Sequence, residues 1–331
     1  LTPSHLPPLL CMSSPLSLFP LPPEIMPSSS HELGALDFSP LLPPNWKRLV
    51  QQWLDEDIPS MDIGGFVVGD KPETAVLYGK SNCMLAGRPF FEQVFHLLGC
   101  TVTWELDDGD MVQLPDGGKE KGKIVVARVQ GPACRILVGE RVALNTLSRC
   151  SGVATASSAL STLGKAKGWH GMVAGTRKTT PGFRLVEKYG LIVGGAATHR
   201  NDLSQMVMLK DNHINSAGSI TAAVRKAKRA TGFSMKVEVE TSTLEDAREA
   251  ASSGADVVML DNFGPSELKV VAGQLKESFP QVIVEASGGI TSETIADYFS
   301  EHVDVISSGS LTQGYKCMDF SLKILGPGQK A

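Results

Sequence analysis

Paired cysteines are missing from this chain. It holds six cysteines, none in a CxxC pair: Cys11, Cys83, Cys100, Cys134, Cys150 and Cys317. This scatter offers neither the ligand spacing of a zinc site nor the framework of a disulfide-stapled protein. Free thiols are typical of a reducing compartment. We therefore predict a cytoplasmic protein.

Other absences exclude further classes of protein. No apolar run is long enough to cross a bilayer, and a net charge of −4 lacks the positive excess of a general nucleic-acid binder. We predict neither a membrane nor a nucleic-acid partner. The G-x-x-x-x-G-K-[ST] loop and the G-x-S-x-G elbow are absent too, which disfavours nucleotide hydrolysis through a P-loop and acyl transfer.

Residues 1–40 differ from the rest of the chain. Proline, serine and leucine crowd this stretch, and proline at such density blocks both helices and strand ladders. A signal peptide would need a basic start and an uninterrupted apolar core, and neither is present. We predict a disordered leader over residues 1–40.

Residues 41–150 predict a smaller α+β domain. Its first helix begins near Asn45, because Trp46, Val50 and Leu54 repeat at helical spacing on one apolar face. β-rich runs follow between residues 64 and 140. A long helix dominated by alanine, leucine and serine is expected from Gly139 to Gly164.

Residues 151–310 predict repeated βα units. Short apolar runs recur with helix-like segments between most of them, at residues 171–174, 206–209, 236–240, 257–261, 282–286 and 303–307. We count six or seven strands, one fewer than a complete eight-stranded barrel. Active sites of such barrels lie at the C-terminal ends of the strands. The residues that follow these runs are therefore the site candidates.

Positively charged candidates follow three of the runs. Arg177 and Lys178, with the hydroxyl of Thr179 behind them, suit an anionic ligand, although a solvated basic loop is the alternative. His199 and Arg200 follow a run of small residues, and for the histidine a structural and a functional role are about equally expected. Lys210 ends an aliphatic strand and could instead be a lysine extended along the barrel rim.

Acidic candidates end the next two runs. Glu238 and Glu240 share a face of one strand, and Glu240 at its end is the better pocket candidate. Asp261 ends the following strand. Two carboxylates on neighbouring strand ends can hold Mg²⁺ or stabilise a developing positive charge. The alternative for Asp261 is an N-cap of the next helix.

Glycine-containing turns end the last two runs. Ser287, Gly288 and Gly289 form the first, and Ser308 and Gly309 the second. The loops after the late strands of barrels favour phosphate, because backbone N–H groups can approach an anion there. Two such turns in succession predict a phosphate site.

The motif residues closely resemble the quinolinate phosphoribosyltransferases of vertebrate type. The matching stretches are Gly139–Gly152, Ala174–Gly190, Gly194–Arg200, Lys210–His213, Val237–Glu240, Leu260–Asn262 and Glu285–Thr291. The resemblance implies a type II phosphoribosyltransferase fold. An N-terminal α/β sandwich spans residues 41–150, and an incomplete, seven-strand-like α/β barrel spans residues 151–310. The segment 311–331 packs back on the sandwich.

The resemblance also implies the reaction. Quinolinate and phosphoribosyl pyrophosphate, with Mg²⁺, give nicotinate mononucleotide, pyrophosphate and CO₂, in NAD biosynthesis and quinolinate catabolism. The quinolinate residues implied are Arg141, Arg177, His199, Arg200 and Lys210. Those implied for phosphoribosyl pyrophosphate are Lys178, Thr179, Glu240, Asp261, Ser287, Gly288, Gly289, Ser308 and Gly309. Lys178, Glu240 and Asp261 would be catalytic, and the two carboxylates would hold Mg²⁺ partly through substrate and water.

Arg141 resembles the family arginine that reaches into a neighbouring subunit's site. This implies a homo-oligomer, a dimer with shared active sites that assembles to a hexamer. Two alternatives stay open. One is a phosphoribosyltransferase for nicotinate. Nicotinate has a single carboxylate, for which the five positively charged residues implied for quinolinate would be more than needed. The other is a non-catalytic metabolite-binding protein on the same fold, whose expected sign, the loss of a charged strand-end residue, is absent.

Overall fold

The computed structural model describes residues 36–115 and 122–326. Residues 1–35 of the predicted leader lie outside the described part. At the C-terminal end of the leader, Ser39–Leu41 form a short 3-10 helix. Phe38 and Leu42, on either side of this helix, pack against the N-terminal core. The predicted disorder is therefore wrong at this end, because apolar side chains anchor it.

The helices and strands follow one another in a fixed order. They are α1 (Trp46–Asp57), α2 (Ile63–Val68), β1 (Pro72–Gly79), β2 (Cys83–Met84), α3 (Arg88–Leu97), β3 (Thr101–Trp104), β4 (Met111–Val112), β5 (Ile124–Pro132), α4 (Ala133–Ala166), β6 (Met172–Ala174), α5 (Arg184–Val193), β7 (Val207–Leu209), α6 (Asp211–Ala217), α7 (Ile220–Thr231), β8 (Val237–Thr241), α8 (Leu244–Ser252), β9 (Val257–Asp261), α9 (Pro265–Ser278), β10 (Ile283–Ser287), α10 (Ile295–Tyr298), β11 (Val305–Ser307), α11 (Ser310–Gln313) and β12 (Phe320–Ile324).

The N-terminal unit is an antiparallel sheet in the order β12-β1-β5-β3 with helices packed on it. Helix α1 buries the face predicted from its spacing, with Val50 and Leu54 inside. Phe90, Phe91 and Phe95 of α3 are fully buried in the same core. Strand β12 comes from the C-terminal segment and adds the edge strand next to β1.

Helix α4 connects the two units. It runs from Ala133 to Ala166, longer at both ends than the predicted 139–164. Leu147 in its first half packs in the N-terminal core, whereas Leu160 in its second half packs in the barrel core. The predicted boundary between residues 150 and 151 thus falls inside one continuous helix that both cores share.

The barrel is a parallel sheet in the order β6-β11-β10-β9-β8-β7. A single parallel bridge from Ala174 to Ala197 adds a seventh position beside β6. This position stays one residue long because Gly195 and His199 on either side have positive φ, of 75° and 55°. Within the described residues no ladder joins it to β7, so the predicted incomplete barrel is confirmed.

Side chains alternate across the barrel wall. Val237 and Val239 of β8 belong to the apolar core, which places Glu238 and Glu240 on the opposite, inner face.

Among the helices that the structure describes, none combines the length and the hydropathy needed to span a membrane.

A partly buried hydrogen bond joins the N-terminal unit to the barrel. The hydroxyl of Tyr189 on α5 donates to the Asp108 carboxylate over 2.8 Å, and the backbone N–H of Arg88 donates to the same carboxylate. Burial raises the pKa of Asp108 to about 6, against the lowering effect of these hydrogen bonds. The charged form of Asp108 therefore costs the folded state free energy at neutral pH.

We expect Asp108→Asn to raise the free energy of unfolding at pH 7.5. The raised pKa means that the folded state binds more protons than the unfolded chain between the ordinary value of 3.8 and about 6. Wild-type stability therefore falls as pH rises through that window. The amide removes the charge and keeps one acceptor, for Tyr189, whereas the Arg88 N–H loses its partner, so a gain on the order of 1–2 kcal/mol is expected. Thermal unfolding at pH 7.5 and pH 3.5 measures it. An equal difference at both pH values would contradict the assignment.

Candidate functional site

The predicted phosphate turns line one cavity. It has a volume of about 320 Å³ and lies at the C-terminal ends of β10 and β11. The structure brings six predicted residues together around it: Lys178, Ser287, Gly288, Gly289, Ser308 and Gly309. A larger cavity of about 610 Å³ lies on the N-terminal unit against Trp46 and Arg88. None of the residues predicted from the strand ends lines that larger cavity.

A tight backbone crossing shapes the first turn. Gly288 has φ of +97°, and a Cβ there would lie 2.5 Å from the backbone nitrogen of Asn262. Asn262 itself has φ of +63°, and its N–H donates to the backbone oxygen of Ser287 over 3.0 Å. The ends of β9 and β10 are thus locked together at the edge of the cavity.

Lys178 is exposed at the cavity wall, while the backbone of its loop is fixed. Thr312 donates its hydroxyl to the backbone oxygen of Lys178 over 2.7 Å. The backbone N–H and hydroxyl of Thr180 donate to Glu187 over 2.9 and 2.8 Å, and Glu187 is fully buried on α5. A Cβ at Gly309 would lie 3.7 Å from the Lys178 ammonium. The alternative of a merely solvated basic loop therefore loses support.

Two carboxylates and two lysines meet beside this cavity. Lys210 forms an ion pair with Glu240. Burial, followed by the negative charge of Glu240, raises the pKa of Asp261, whereas the charges of Lys210 and Lys178 lower it. The N-cap of α9 is Gly264. Asp261 is therefore not the N-cap that we considered as an alternative.

A cationic cluster lies on the other side of the barrel mouth. Burial, followed by the positive charges of Arg184, Arg177 and Arg200, lowers the pKa of Lys188 to about 8. Burial and the charge of Arg177 also lower the pKa of Arg200. The buried Nε of Arg177 has no hydrogen-bond partner within the described part of the chain. So many unneutralised cations favour a ligand with more than one negative charge.

Sequence reasoning missed Lys188 and Glu285, and it ranked Glu238 below Glu240. Lys188 stands within a mostly apolar helix and is only 4% exposed, and a charged residue at a core position was the available signal. Glu238 and Glu285 are buried on the inner faces of β8 and β10. Strand-end reasoning favours Glu240 and gives no weight to carboxylates that lie two residues earlier, deeper inside the barrel.

His199 joins these buried carboxylates. Its Nε2 lies 3.2 Å from Glu285 and 3.7 Å from Glu238, and its Nδ1 accepts a hydrogen bond from the backbone N–H of Arg200 over 2.8 Å. Burial lowers the pKa of His199, whereas the hydrogen bond to Glu285 and the charges of Glu285 and Glu238 raise it. Because Nδ1 accepts the Arg200 N–H, the ring proton lies on Nε2, towards these carboxylates. Both ring nitrogens thus have protein partners.

Two predicted residues lie apart from these groups. Arg141 is exposed on α4, and no described hydrogen bond or ion pair joins it to the other candidates. The hydroxyl of Thr179 accepts a hydrogen bond from Nε of Arg184 over 3.0 Å. It supports the loop, and it does not line the phosphate-type cavity.

Comparison with known proteins places the whole arrangement in one family. The model of the quinolinate phosphoribosyl transferase C-terminal domain matches residues 153–323, and that of the N-terminal domain matches residues 60–151. The nicotinate-nucleotide pyrophosphorylase (carboxylating) of Rattus norvegicus is 52% identical over 289 residues, covering 87% of this chain and 94% of its own length. The Homo sapiens protein of the same name is 53% identical over 285 residues, covering 86% and 93%.

Solved structures agree. The nicotinate-nucleotide pyrophosphorylase from Francisella tularensis is 33% identical, covers 86% of this chain and 98% of its own, and superposes with a TM-score of 0.77. The human nicotinic acid phosphoribosyltransferase is 13% identical with a TM-score of 0.52 and shares the fold alone. Both domain models and the curated relatives show that this chain belongs to the quinolinate phosphoribosyltransferase family.

Proposed function

We propose that this protein transfers the phosphoribosyl group of phosphoribosyl pyrophosphate to quinolinate. The products are nicotinate mononucleotide, pyrophosphate and CO₂, and the step supplies NAD biosynthesis. One observation carries the proposal: a cluster of cations suited to a diacid and a glycine-lined cavity suited to a phosphate open at the same end of one barrel. Two relatives named nicotinate-nucleotide pyrophosphorylase (carboxylating) are 52% and 53% identical to the chain.

The quinolinate carboxylates would bind to the cationic side. Arg177 offers an Nε that has no partner among the described residues, and Arg200 lies close enough for its charge to interact with that of Arg177. Lys210 completes this side from the end of β7, where it faces Glu240. Bidentate guanidinium–carboxylate contacts fix the orientation of a planar acid and bring its ring nitrogen to the ribose.

The ribose, with its 5-phosphate and its pyrophosphate, would lie along the other side. The ring nitrogen of quinolinate attacks the anomeric carbon while the bond to pyrophosphate breaks. Positive charge develops on the ribose in that transition state, so Glu240 and Asp261 stabilise it. Lys178 neutralises the leaving pyrophosphate, and the turns at Ser287 and Ser308 hold the 5-phosphate. Loss of CO₂ then leaves an electron pair on the ring carbon next to the cationic nitrogen, which stabilises it, and a proton from solvent adds to that carbon to give nicotinate mononucleotide.

A Mg²⁺ ion fits the acidic side of this site. Glu240 ends β8 and Asp261 ends β9, and these neighbouring strands bring two hard oxygen donors together. Burial and the charge of Glu240 raise the pKa of Asp261, and a nearby cation would relieve this repulsion. When bound with pyrophosphate, the ion would supply charge neutralisation of the leaving group.

We expect turnover to stop when divalent cations are removed with a chelator and to return when Mg²⁺ is added. Glu240→Gln should raise the Mg²⁺ concentration needed for half-maximal rate by about tenfold, because one anionic ligand is lost. A Mg²⁺ titration of both proteins measures this. Full activity in the chelated wild type would contradict the metal assignment.

We propose that the active unit is a homodimer with shared sites, which assembles further to a hexamer. Arg141 is exposed and lies one helical turn from Leu137, itself 39% exposed. Exposed apolar side chains of the α2 region lie beside Leu137 in one shallow cleft, Met61 and Ile63 among them. A second copy that covers this apolar face would carry Arg141 to the neighbouring barrel.

Mixing two inactive variants tests the shared site. We expect Arg141→Ala and Lys178→Ala each to be inactive, and their mixture after subunit exchange to recover about a quarter of wild-type activity, because half of the dimers then hold one intact site out of two. The control is each variant exchanged with itself. A mixture as inactive as its components would show that Arg141 acts within its own chain or not at all.

The proposed reaction predicts three products in equal amounts. Purified protein, quinolinate, phosphoribosyl pyrophosphate and Mg²⁺ should yield nicotinate mononucleotide, pyrophosphate and CO₂ in a ratio of about 1:1:1, because transfer and decarboxylation are coupled. Folded protein that forms none of these would overturn the proposal.

We also propose a cytoplasmic location, supported by the five described cysteines, all of which are free thiols.

A further inference from the structure

Two buried carboxylates lie beneath the candidate site. Glu238 and Glu285 precede Glu240 and Ser287 by two residues on β8 and β10, so they point to the same interior one layer deeper. Their side chains are 0% and 3% exposed. Both oxygens of Glu238 and one of Glu285 have no hydrogen-bond partner among the described residues. Burial of such groups is costly, so a compensating role is expected.

His199 connects these carboxylates to Arg200. The histidine has a φ of +55°, in the left-handed region that non-glycine residues rarely adopt. Its Nε2 faces Glu285 and Glu238, and its Nδ1 accepts from the backbone N–H of Arg200 over 2.8 Å. The imidazole therefore bridges the interior of the barrel and the residue that we assign to quinolinate.

Lys188 holds the same turn from the opposite side. Its ammonium donates to the backbone oxygen of Thr198 and, over 3.2 Å, to that of Arg200. The turn at residues 198–200 is thus fixed by α5 outside the barrel and by β8 and β10 inside it. A strained backbone persists only where its surroundings overdetermine it, and such places cluster at functional sites.

A bound cation is the competing explanation. His199, Glu238 and Glu285 offer ligand atoms within 4.8 Å of one another. However, the charge of Arg200 already acts on Glu238, and Arg177 and Lys188 surround Arg200. The carboxylates therefore already have positive neighbours, and a divalent ion would be repelled by the same neighbours. These charges favour an internal brace over a metal site.

We infer that Glu238 and Glu285 are positioning residues, which hold His199 and through its Nδ1 the backbone of Arg200, so that the Arg200 guanidinium meets a quinolinate carboxylate. This inference rests on the proposed function. The two carboxylates lie one layer beneath the residues that would touch quinolinate. They contact neither the substrate nor the ribose and belong to no step of bond formation.

The brace predicts a selective loss of quinolinate binding. We expect Glu238→Gln and Glu285→Gln each to raise the quinolinate KM about tenfold, with kcat and the KM for phosphoribosyl pyrophosphate within about twofold of wild type. Glutamine keeps the shape and one acceptor oxygen, so the fold should survive, and the second variant serves if the first does not fold. Glu249→Gln is the matched control, because Glu249 accepts hydrogen bonds from Thr221 on the barrel exterior.

A double-mutant cycle separates this inference from the proposed function. In an Arg200→Ala background, Glu238→Gln should change the quinolinate KM by less than about twofold, since its effect passes through Arg200. Additive effects of the two substitutions would overturn the inference. So would one equivalent of tightly bound metal in the wild type that Glu238→Gln abolishes. A wild type that forms no product would instead overturn the proposed function.

Discussion

Lys178→Ala lowers kcat by about 1,000-fold or more in our account, while the protein stays folded, because the lost ammonium neutralises the leaving pyrophosphate in the transition state. The side chain is exposed at the cavity wall. It forms no described ion pair, although its charge reaches Asp261. Removing it therefore leaves no buried partner unsatisfied. Steady-state turnover and thermal unfolding of the same preparation measure both parts of this expectation.

Lys269→Ala is the matched control for Lys178. Lys269 is exposed on α9, away from the strand ends, so its removal should leave turnover within about twofold of wild type. Near-normal turnover in a folded Lys178→Ala protein would show that another group neutralises the pyrophosphate. The role assigned to the loop that carries Arg177 and Lys178 would then be wrong.

Gly288→Ala has the second largest expected effect. We expect kcat/KM for phosphoribosyl pyrophosphate to fall about 100-fold or more, because the new methyl group forces the phosphate turn away from Asn262. The Cβ would lie 2.5 Å from the Asn262 backbone nitrogen and 2.8 Å from its Cα, neither of which can move aside easily. The KM for quinolinate should change far less, since the cationic cluster lies across the barrel mouth.

Gly289→Ala is its control within the same turn. Gly289 also has positive φ, of +63°, but a Cβ there meets no atom within 4 Å in the described structure. The substitution therefore costs only about 1–2 kcal/mol of backbone strain and lacks the clash. Losses of equal size in both variants would mean that strain, and not the crossing with Asn262, governs phosphate binding.

Local patterns were enough to predict the barrel and the ends of its strands. The short apolar runs predicted the strands, and the two-residue repeat of a strand placed Glu240 on the inner face of the barrel. The glycines that follow the last two strands predicted the cavity that the structure shows. The bridge at Ala197 was beyond such reasoning, because a one-residue strand has no periodicity. The length of α4 was also underestimated, because its first turn continues directly from β5 at Pro132.

The deeper layer of the site could not be predicted from single positions. Glu238 and Glu285 lie 47 residues apart in sequence, and only closure of the barrel brings both to His199. The hydrogen bond between Tyr189 and Asp108 likewise depends on how the N-terminal unit and the barrel meet. Roles that depend on long-range contacts become visible only in the folded structure, whereas roles at strand ends follow from the βα repeat itself.

The two competing functions make different demands on the same site. A nicotinate-specific transferase needs positive charge for one carboxylate only. In this chain Arg177, Lys188 and Arg200 lie so close together that the pKa values of Lys188 and Arg200 are lowered. A metabolite-binding protein does not need Lys178 directed at a phosphate-sized cavity. Both alternatives leave charges unexplained that a diacid and a pyrophosphate leaving group account for.

The ratio of kcat/KM for quinolinate to that for nicotinate tests the central claim most directly. Both acids would be assayed with the same enzyme, phosphoribosyl pyrophosphate and Mg²⁺. We expect a ratio of about 1,000 or more, because nicotinate has no second carboxylate to pair with the half-buried arginines of the cluster. A ratio near one, or one that favours nicotinate, would contradict a pocket built for two carboxylates.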